Sequence, residues 1–149
     1  MAIARGAGTE IIRSIHLEDV NDTDRILIVG EQHHIYTVLS ITVMAYNINS
    51  AGDYTRVYLV GYDSNAGTSQ QSHFIFMQDM NALETYVWND KFSFNGFEPT
   101  DFTGPMDNAT KQNAIADQGS SVAQKLYVHC EHSSDGFDVT CTYIDQNNS

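Results

Sequence analysis

The chain has 149 residues, and its 19 acidic residues against seven basic ones give a formal net charge of −12 at pH 7. This balance argues against a nucleic-acid partner, because nucleic-acid binding depends on Lys and Arg side chains that neutralise phosphates. It also disfavours binding to an anionic membrane surface. Apolar residues make up 42% of the chain, which is enough for one globular domain with its own core.

The first 24 residues have the character of an extended N-terminal arm. Glycines and the turn-forming run at 21–24 interrupt the segment, and its few apolar residues are too sparse for a core. We therefore expect the arm to dock on a neighbouring molecule or to be mobile. The arm residues that we expect to contact a partner are Arg5, Ile11, Ile12, Arg13, Ile15 and Leu17.

Residues 25–149 are predicted to form a single β domain. Alternation is clearest at 35–43, where the odd-numbered residues from Ile35 to Val43 would share one face of a strand. Short strands separated by Gly, Asn and Asp turns are typical of an antiparallel β-sandwich or jelly roll. The predicted strands lie near 26–29, 35–47, 54–62, 73–78, 83–88, 91–94, 124–132 and 137–144.

A long segment at about 95–123 interrupts this series of strands. It contains both prolines of the chain and several glycines, and a connection of this length inside a domain is usually functional or disordered. We predict a surface excursion from the sandwich. Its candidate contact residues are Phe97, Phe102 and Met106.

The two cysteines, Cys130 and Cys141, are predicted to be buried thiols. Each shares its strand parity with apolar neighbours, so both would face the core from a final hairpin that turns near 134–136. The first 17 residues lack the apolar core of a secretory signal, so we expect folding in the cytosol, where thiols stay reduced.

Catalytic and metal-binding motifs are missing from the sequence. It has neither a Gly-x-Ser-x-Gly elbow nor a glycine-rich phosphate loop after a strand. The adjacent pair His33 and His34 would point to opposite faces. The run from His129 to His132 lacks the paired spacing of zinc ligands, and zinc there would need ligands from elsewhere in the chain. We therefore predict a non-enzymatic protein with no metal and no cofactor.

Aromatic residues suggest an alternative role in carbohydrate binding. Tyr58 and Tyr62 share a strand face with Arg56, and Trp88 lies in a later aromatic cluster. Aromatic side chains exposed on a sandwich could stack on sugar rings, although aromatic residues on strands more often belong to cores and protein interfaces.

Three segments resemble small virion proteins of tailed bacteriophages, particularly those of cyanobacteria. They are MAIARGAGTEIIRS at 1–14, VGYDSNAGT at 60–68 and DVTCTYID at 138–145. The resemblance implies a β-sandwich that coats or joins parts of a phage particle. The nearest role is a head decoration (cement) protein, which would bind the major capsid protein on the outer capsid surface, with a homotrimer as the favoured state.

Two other roles remain open at this point. A tail or fibre-attachment component would share the sandwich and the arm, and a receptor- or carbohydrate-binding module would need exposed aromatic side chains. In the virion roles, the protein would be made in the host cytoplasm.

Overall fold

The computed structural model describes residues 8–61, 71–97, 109–110 and 122–148. These residues form nine β-strands in two antiparallel sheets. No helix in this part of the chain has the length and hydropathy needed to cross a membrane. The strands are β1 (Thr9–Val20), β2 (Arg25–Val29), β3 (His34–Asn47), β4 (Asp53–Gly61), β5 (Gln71–Met80), β6 (Thr85–Trp88), β7 (Phe92–Asn95), β8 (Lys125–Cys130) and β9 (Gly136–Asn147).

The strand order is that of a jelly roll. The five-stranded sheet runs β1-β9-β3-β6, with β7 also paired to β3, and the four-stranded sheet runs β2-β8-β4-β5. Strands β6 and β7 pair with successive parts of β3, so together they occupy the place of one interrupted strand. With that pair counted once, eight strand positions form two facing sheets. The all-β sandwich predicted from alternation and turns is confirmed.

Strand β3 changes its core-facing parity in the middle. Tyr36 and Val38 are buried in its first half, whereas Ile41 and Val43 are buried in its second half. A register shift at Leu39 in the pairing with β9 inserts one extra residue between these halves. The prediction that all odd-numbered residues of 35–43 share the core face is therefore wrong for its first half, because a bulge reverses the alternation.

The predicted N-terminal arm is extended but does not leave the domain between residues 9 and 20. Strand β1 pairs with β9 from Thr9 opposite Asn147 to Val20 opposite Phe137, and it forms an edge of the five-stranded sheet. Ile15 and Leu17 are partly buried against the core. This segment docks on its own chain because alternate apolar residues can cover that part of the core. Residues 1–7 lie outside the described ranges.

The two cysteines face the core from opposite sheets. Cys130 and Cys141 are fully buried and unbonded, as predicted. The predicted hairpin is wrong: β8 pairs with β2 and β4, whereas β9 pairs with β1 and β3. The connection at 131–135 instead crosses between the sheets.

The predicted excursion starts and ends at neighbouring points. Phe97 forms a β-bridge with Ala123, and the N–H of Gln124 donates to the Gly96 carbonyl at 2.8 Å. The backbones approach so closely that a Cβ on Gly96 would lie 1.9 Å from the Glu31 carbonyl oxygen. Most of the excursion, including Phe102 and Met106, lies outside the described residues.

The bulge in β3 predicts unequal effects for two neighbouring truncations. Ile41→Ala should reduce the free energy of unfolding by about 2–5 kcal/mol, because it leaves a cavity in the core. Leu39→Ala should cost clearly less, since Leu39 is only partly buried at the bulge. Urea unfolding of both variants measures the difference, and equal losses would contradict the bulge.

The close approach at Gly96 predicts that this glycine tolerates no side chain. Gly96→Ala should lower the free energy of unfolding by about 2 kcal/mol or more, because the backbone of residue 31 must move. Gly136→Ala is the control, since a Cβ there has its nearest neighbour at 3.4 Å. Similar thermal midpoints for both variants would argue against this packing.

Candidate interaction surfaces

The exposed edge of β1 retains part of the predicted arm interface. Ile11 and Ile12 are 37% and 68% exposed at this edge. Ile15 and Leu17 are instead partly buried on the core. Arg13 is engaged within the domain by an ion pair, and Arg5 lies outside the described residues. Of the predicted apolar arm contacts on β1, Ile11 and Ile12 are thus the most exposed.

Arg13 belongs to a charged cluster around Asp145, whose side chain is 5% exposed. The Arg13 Nε donates to Asp145 Oδ2 at 3.1 Å, and the His34 Nδ1 donates to Asp145 Oδ1 at 2.6 Å. The second ring nitrogen of His34 lies 3.3 Å from the Glu31 carboxylate. Because Arg13, His34 and Asp145 lie on β1, β3 and β9, the cluster fastens these three strands at one end of the sandwich.

Burial changes the chemistry of a tyrosine beside this cluster. The Tyr36 hydroxyl accepts a hydrogen bond from the Glu31 N–H at 3.0 Å. Desolvation by burial, followed by the negative charge of Asp145, raises the pKa of Tyr36 well above its usual range. The phenol is therefore neutral at physiological pH, consistent with a packing role.

The outer face of the five-stranded sheet is rich in hydroxyl groups. The hydroxyls of Ser14 and Thr142 lie 3.1 Å apart, and His16 Nδ1 lies 2.8 Å from Thr140 Oγ1. These cross-strand pairs satisfy one another on an exposed surface. These polar side chains of β1 and β9 therefore already have hydrogen-bond partners within the domain.

The outer face of the four-stranded sheet has an aromatic centre. The Arg56 guanidinium lies 5.6 Å from the ring of Tyr54, 5.7 Å from that of Tyr58 and 5.4 Å from that of Phe74. These distances suit cation–π attraction. The Arg56 Nε is buried and has no hydrogen-bond partner among the described residues. We call this surface the Arg56 face.

Apolar side chains extend the Arg56 face toward both edges of its sheet. The register places Ile26 opposite Tyr127, and Met77 opposite Arg56, so their side chains lie on the same outer face. Arg and aromatic residues surrounded by apolar contacts are typical of the energetic centres of protein interfaces. The exposed members are Ile26 (38%), Val29 (51%), Phe74 (52%) and Met77 (52%).

The predicted sugar platform is not assembled from Tyr58 and Trp88. Tyr58 is 7% exposed and stacks on Tyr127, and burial together with a hydrogen bond to Asp24 raises its pKa. Trp88 packs against the core on the other sheet, with its ring 5.5 Å from that of Phe92. Tyr62 lies outside the described residues.

Sequence reasoning missed the apolar residues of the Arg56 face. Apolar residues in a predicted strand are expected to face the core. This expectation applies to four residues of β2 and β5: Ile26, Val29, Phe74 and Met77. They could have been identified from their position opposite Arg56 and its outward-facing neighbours. That position follows only from the register between strands. Of the predicted loop contacts, Phe97 is half-buried in its bridge to Ala123.

One group of potential metal ligands occurs among the described residues. Asp53, Glu131 and His132 each offer a ligand atom, and these atoms lie within 4.8 Å of one another. Asp53 begins β4, and the other two follow β8. The three residues meet at the end of the sandwich where two connections cross between the sheets.

The buried thiols are protonated at physiological pH. Burial raises the pKa of Cys141 to about 12, and burial likewise raises that of Cys130 to about 12. The Cys130 thiol also donates to the Thr55 hydroxyl at 3.5 Å. Because the thiolate is the reactive form, these cysteines serve as packing residues.

Comparison with known proteins gives structural neighbours alone. No family model matches the chain, and no curated protein sequence is similar to it. A solved structure of Bacillus endospore appendages, described as disulfide-linked pili, is similar over 100% of this chain and 97% of that chain, at 12% identity and a TM-score of 0.45.

Two virus structures are also similar over nearly the whole chain. Particles derived from infectious bursal virus match 99% of this chain and 38% of that chain, at 8% identity and a TM-score of 0.41. The empty head of turnip yellow mosaic virus matches 100% of this chain and 86% of that chain, at 12% identity and a TM-score of 0.34.

The raised thiol pKa values predict a loss of stability in mild alkali. Thiols in the unfolded chain ionise at about pH 8.5, whereas the thiols of the folded protein are still protonated at that pH. Stability is therefore fully present below that pH and decreases as the pH rises toward the folded pKa of about 12. Each thiol should remove about 1 kcal/mol from the free energy of unfolding by about pH 9.5.

Urea unfolding at several pH values below the range of tyrosine ionisation measures this loss. Cys141→Ala should halve the pH-dependent part, whatever its effect on absolute stability. An unchanged pH dependence in that variant would show that the Cys141 thiol is not the source.

Proposed function

We propose that this protein is a non-enzymatic structural component of a bacteriophage virion, and specifically a decoration protein on the outer capsid surface. Two observations support the virion role: the jelly-roll order, which recurs in viral capsid domains, and the resemblance of segments 1–14, 60–68 and 138–145 to phage virion proteins. Because jelly rolls also serve other functions, the choice of role depends on the surfaces.

The Arg56 face is the observation that carries the proposal. It combines an arginine among three aromatic rings, of which that of Phe74 is half-exposed, with a half-exposed Met77 beside them. A capsid subunit that covered this face would bury apolar area and could offer a carboxylate to Arg56. The proposed partner is therefore the major capsid protein, with an acidic side chain opposite Arg56.

The edge of β1 is the proposed second contact. Its outer backbone groups face away from β9, and Ile12 is 68% exposed beside them. An edge strand of this kind can accept a strand of a neighbouring molecule. With two contacts per copy and association of copies into a trimer, individually modest interactions would add up on a capsid lattice.

Binding to particles that lack the protein tests this role. Arg56→Met and Phe74→Asp should each weaken capsid binding at least about tenfold, because they remove central contacts of the face. Arg25→Met and Leu83→Asp are matched controls: Arg25 contacts the Glu18 carbonyl, and Leu83 is 69% exposed in a turn. Co-sedimentation with particles measures affinity, and light scattering of the free protein measures its oligomeric state.

The number of copies per particle separates the possible outcomes. Saturation over the whole capsid, lost in Arg56→Met and kept in Arg25→Met, is the expected result. A few copies at one site would assign the protein to the tail or fibre attachment instead. Equal binding by all four variants would exclude the Arg56 face as the contact surface.

A further inference from the structure

The connections β3–β4 and β8–β9 meet at one end of the sandwich. The Asn49 N–H donates to Asp135 Oδ1 at 2.9 Å, and the His132 N–H donates to Asp135 Oδ2 at 2.9 Å. Both oxygens of this buried carboxylate are thus used to join the two connections. The neighbouring residues Asp53, Glu131 and His132 are thereby held at fixed positions relative to each other.

The carboxylate of Asp53 is buried and points into this group. Its side chain is 5% exposed, and Oδ2 accepts the Ser50 N–H at 3.0 Å. Within the described part of the chain, Oδ1 makes one polar contact, with His132 Nε2 at 3.6 Å, which is longer than a hydrogen bond. One oxygen of a nearly buried carboxylate therefore remains available for a ligand.

In Glu131, as in Asp53, a backbone N–H binds one of the two carboxylate oxygens. Oε2 accepts the Tyr54 N–H at 3.1 Å, which orients the carboxylate, and the other oxygen is not used in that bond. Backbone hydrogen bonds that orient carboxylates in this way are the usual outer support of metal ligands. The His132 ring adds a nitrogen donor and is 44% exposed, so the group is accessible from solvent.

We propose that Asp53, Glu131 and His132 bind a divalent first-row transition-metal ion, with solvent completing the coordination. Two carboxylates and one imidazole suit Zn²⁺ or Mn²⁺ better than Ca²⁺, which favours a larger set of oxygen ligands. The donor atoms lie within 4.8 Å of one another. Each of them therefore needs to move by less than about 1 Å toward a central ion to reach metal–ligand distances near 2.0–2.2 Å.

A bound ion would link parts of the chain that are distant in sequence. Asp53 is the first residue of β4, and Glu131 and His132 belong to the connection that leaves β8 for β9. Because β4 and β8 are neighbouring strands of the four-stranded sheet, a bound ion would join the start of β4 to the chain that leaves β8 at this end of the sandwich. Because the unfolded chain does not hold these ligands together, ion binding would add to the stability of the fold.

Calorimetric titration of the chelator-treated protein with Zn²⁺, followed by thermal unfolding, tests the proposal. We expect one Zn²⁺ per chain, a higher midpoint of unfolding, and little response to Mg²⁺ at physiological salt. His132→Gln should weaken Zn²⁺ binding at least about tenfold, because it removes the nitrogen ligand. Circular dichroism of this variant without metal checks that it is folded.

His16→Gln is the matched control. His16 Nε2 also lies 3.6 Å from a carboxylate, that of Glu18, but this pair belongs to no three-ligand group among the described residues. The control should bind Zn²⁺ like the unmodified protein. Absence of a Zn²⁺ response in the unmodified protein, or equal binding by His132→Gln, would overturn the proposal. Neither result bears on the Arg56 face, so the two proposals are tested separately.

Discussion

The pairing of β9 with both of its neighbours organises the whole molecule. Strand β9 is hydrogen-bonded to β1 on one side and to β3 on the other, and its core face runs from Phe137 through Val139 and Cys141. The β3–β9 pair joins residues about a hundred positions apart in sequence. Such non-local pairing carries a large loop-closure cost, which the burial of both strands against the second sheet must offset.

The bulge in β3 shows how this pairing constrains side chains. Tyr36 and Val38 in the first half and Ile41 and Val43 in the second all reach the core because one extra residue is inserted between them. Without it, a strand of strict period two would turn one of these pairs toward solvent. The bulge also lies between the two segments of β3 that pair with β7 and with β6, which share one strand position of the jelly roll.

The two outer faces of the sandwich differ in chemistry, and this difference supports the proposed role. Hydroxyl groups on the five-stranded sheet, such as those of Ser14 and Thr142, satisfy one another. On the four-stranded sheet, Arg56 is surrounded by rings, and its Nε has no hydrogen-bond partner in the described part of the chain. A buried polar atom without a partner is costly, so a protein ligand that supplied an acceptor near Arg56 would have a specific advantage there.

The sequence alone determined strands β2–β9 and the all-β class, because alternation and turn residues are local properties. Strand β1 was predicted only as part of an extended arm. It also indicated that Cys130 and Cys141 face the core, since each shares parity with apolar neighbours on its own strand. Register, sheet membership and the bulge at Leu39 were decided only by the tertiary structure. Local patterns do not encode which distant strand becomes the partner, and so they gave β8 and β9 as a hairpin.

The same limit applies to the candidate sites. Ile12 could be named from the sequence as an exposed contact, but docking of β1 on β9 partly buries Ile15 and Leu17 and engages Arg13 in an ion pair. The Arg56 face and the Asp53 group each join residues from separate strands or connections. Their chemistry exists only where backbone pairing and crossovers bring these side chains within a few ångströms, and that proximity is a property of the folded chain.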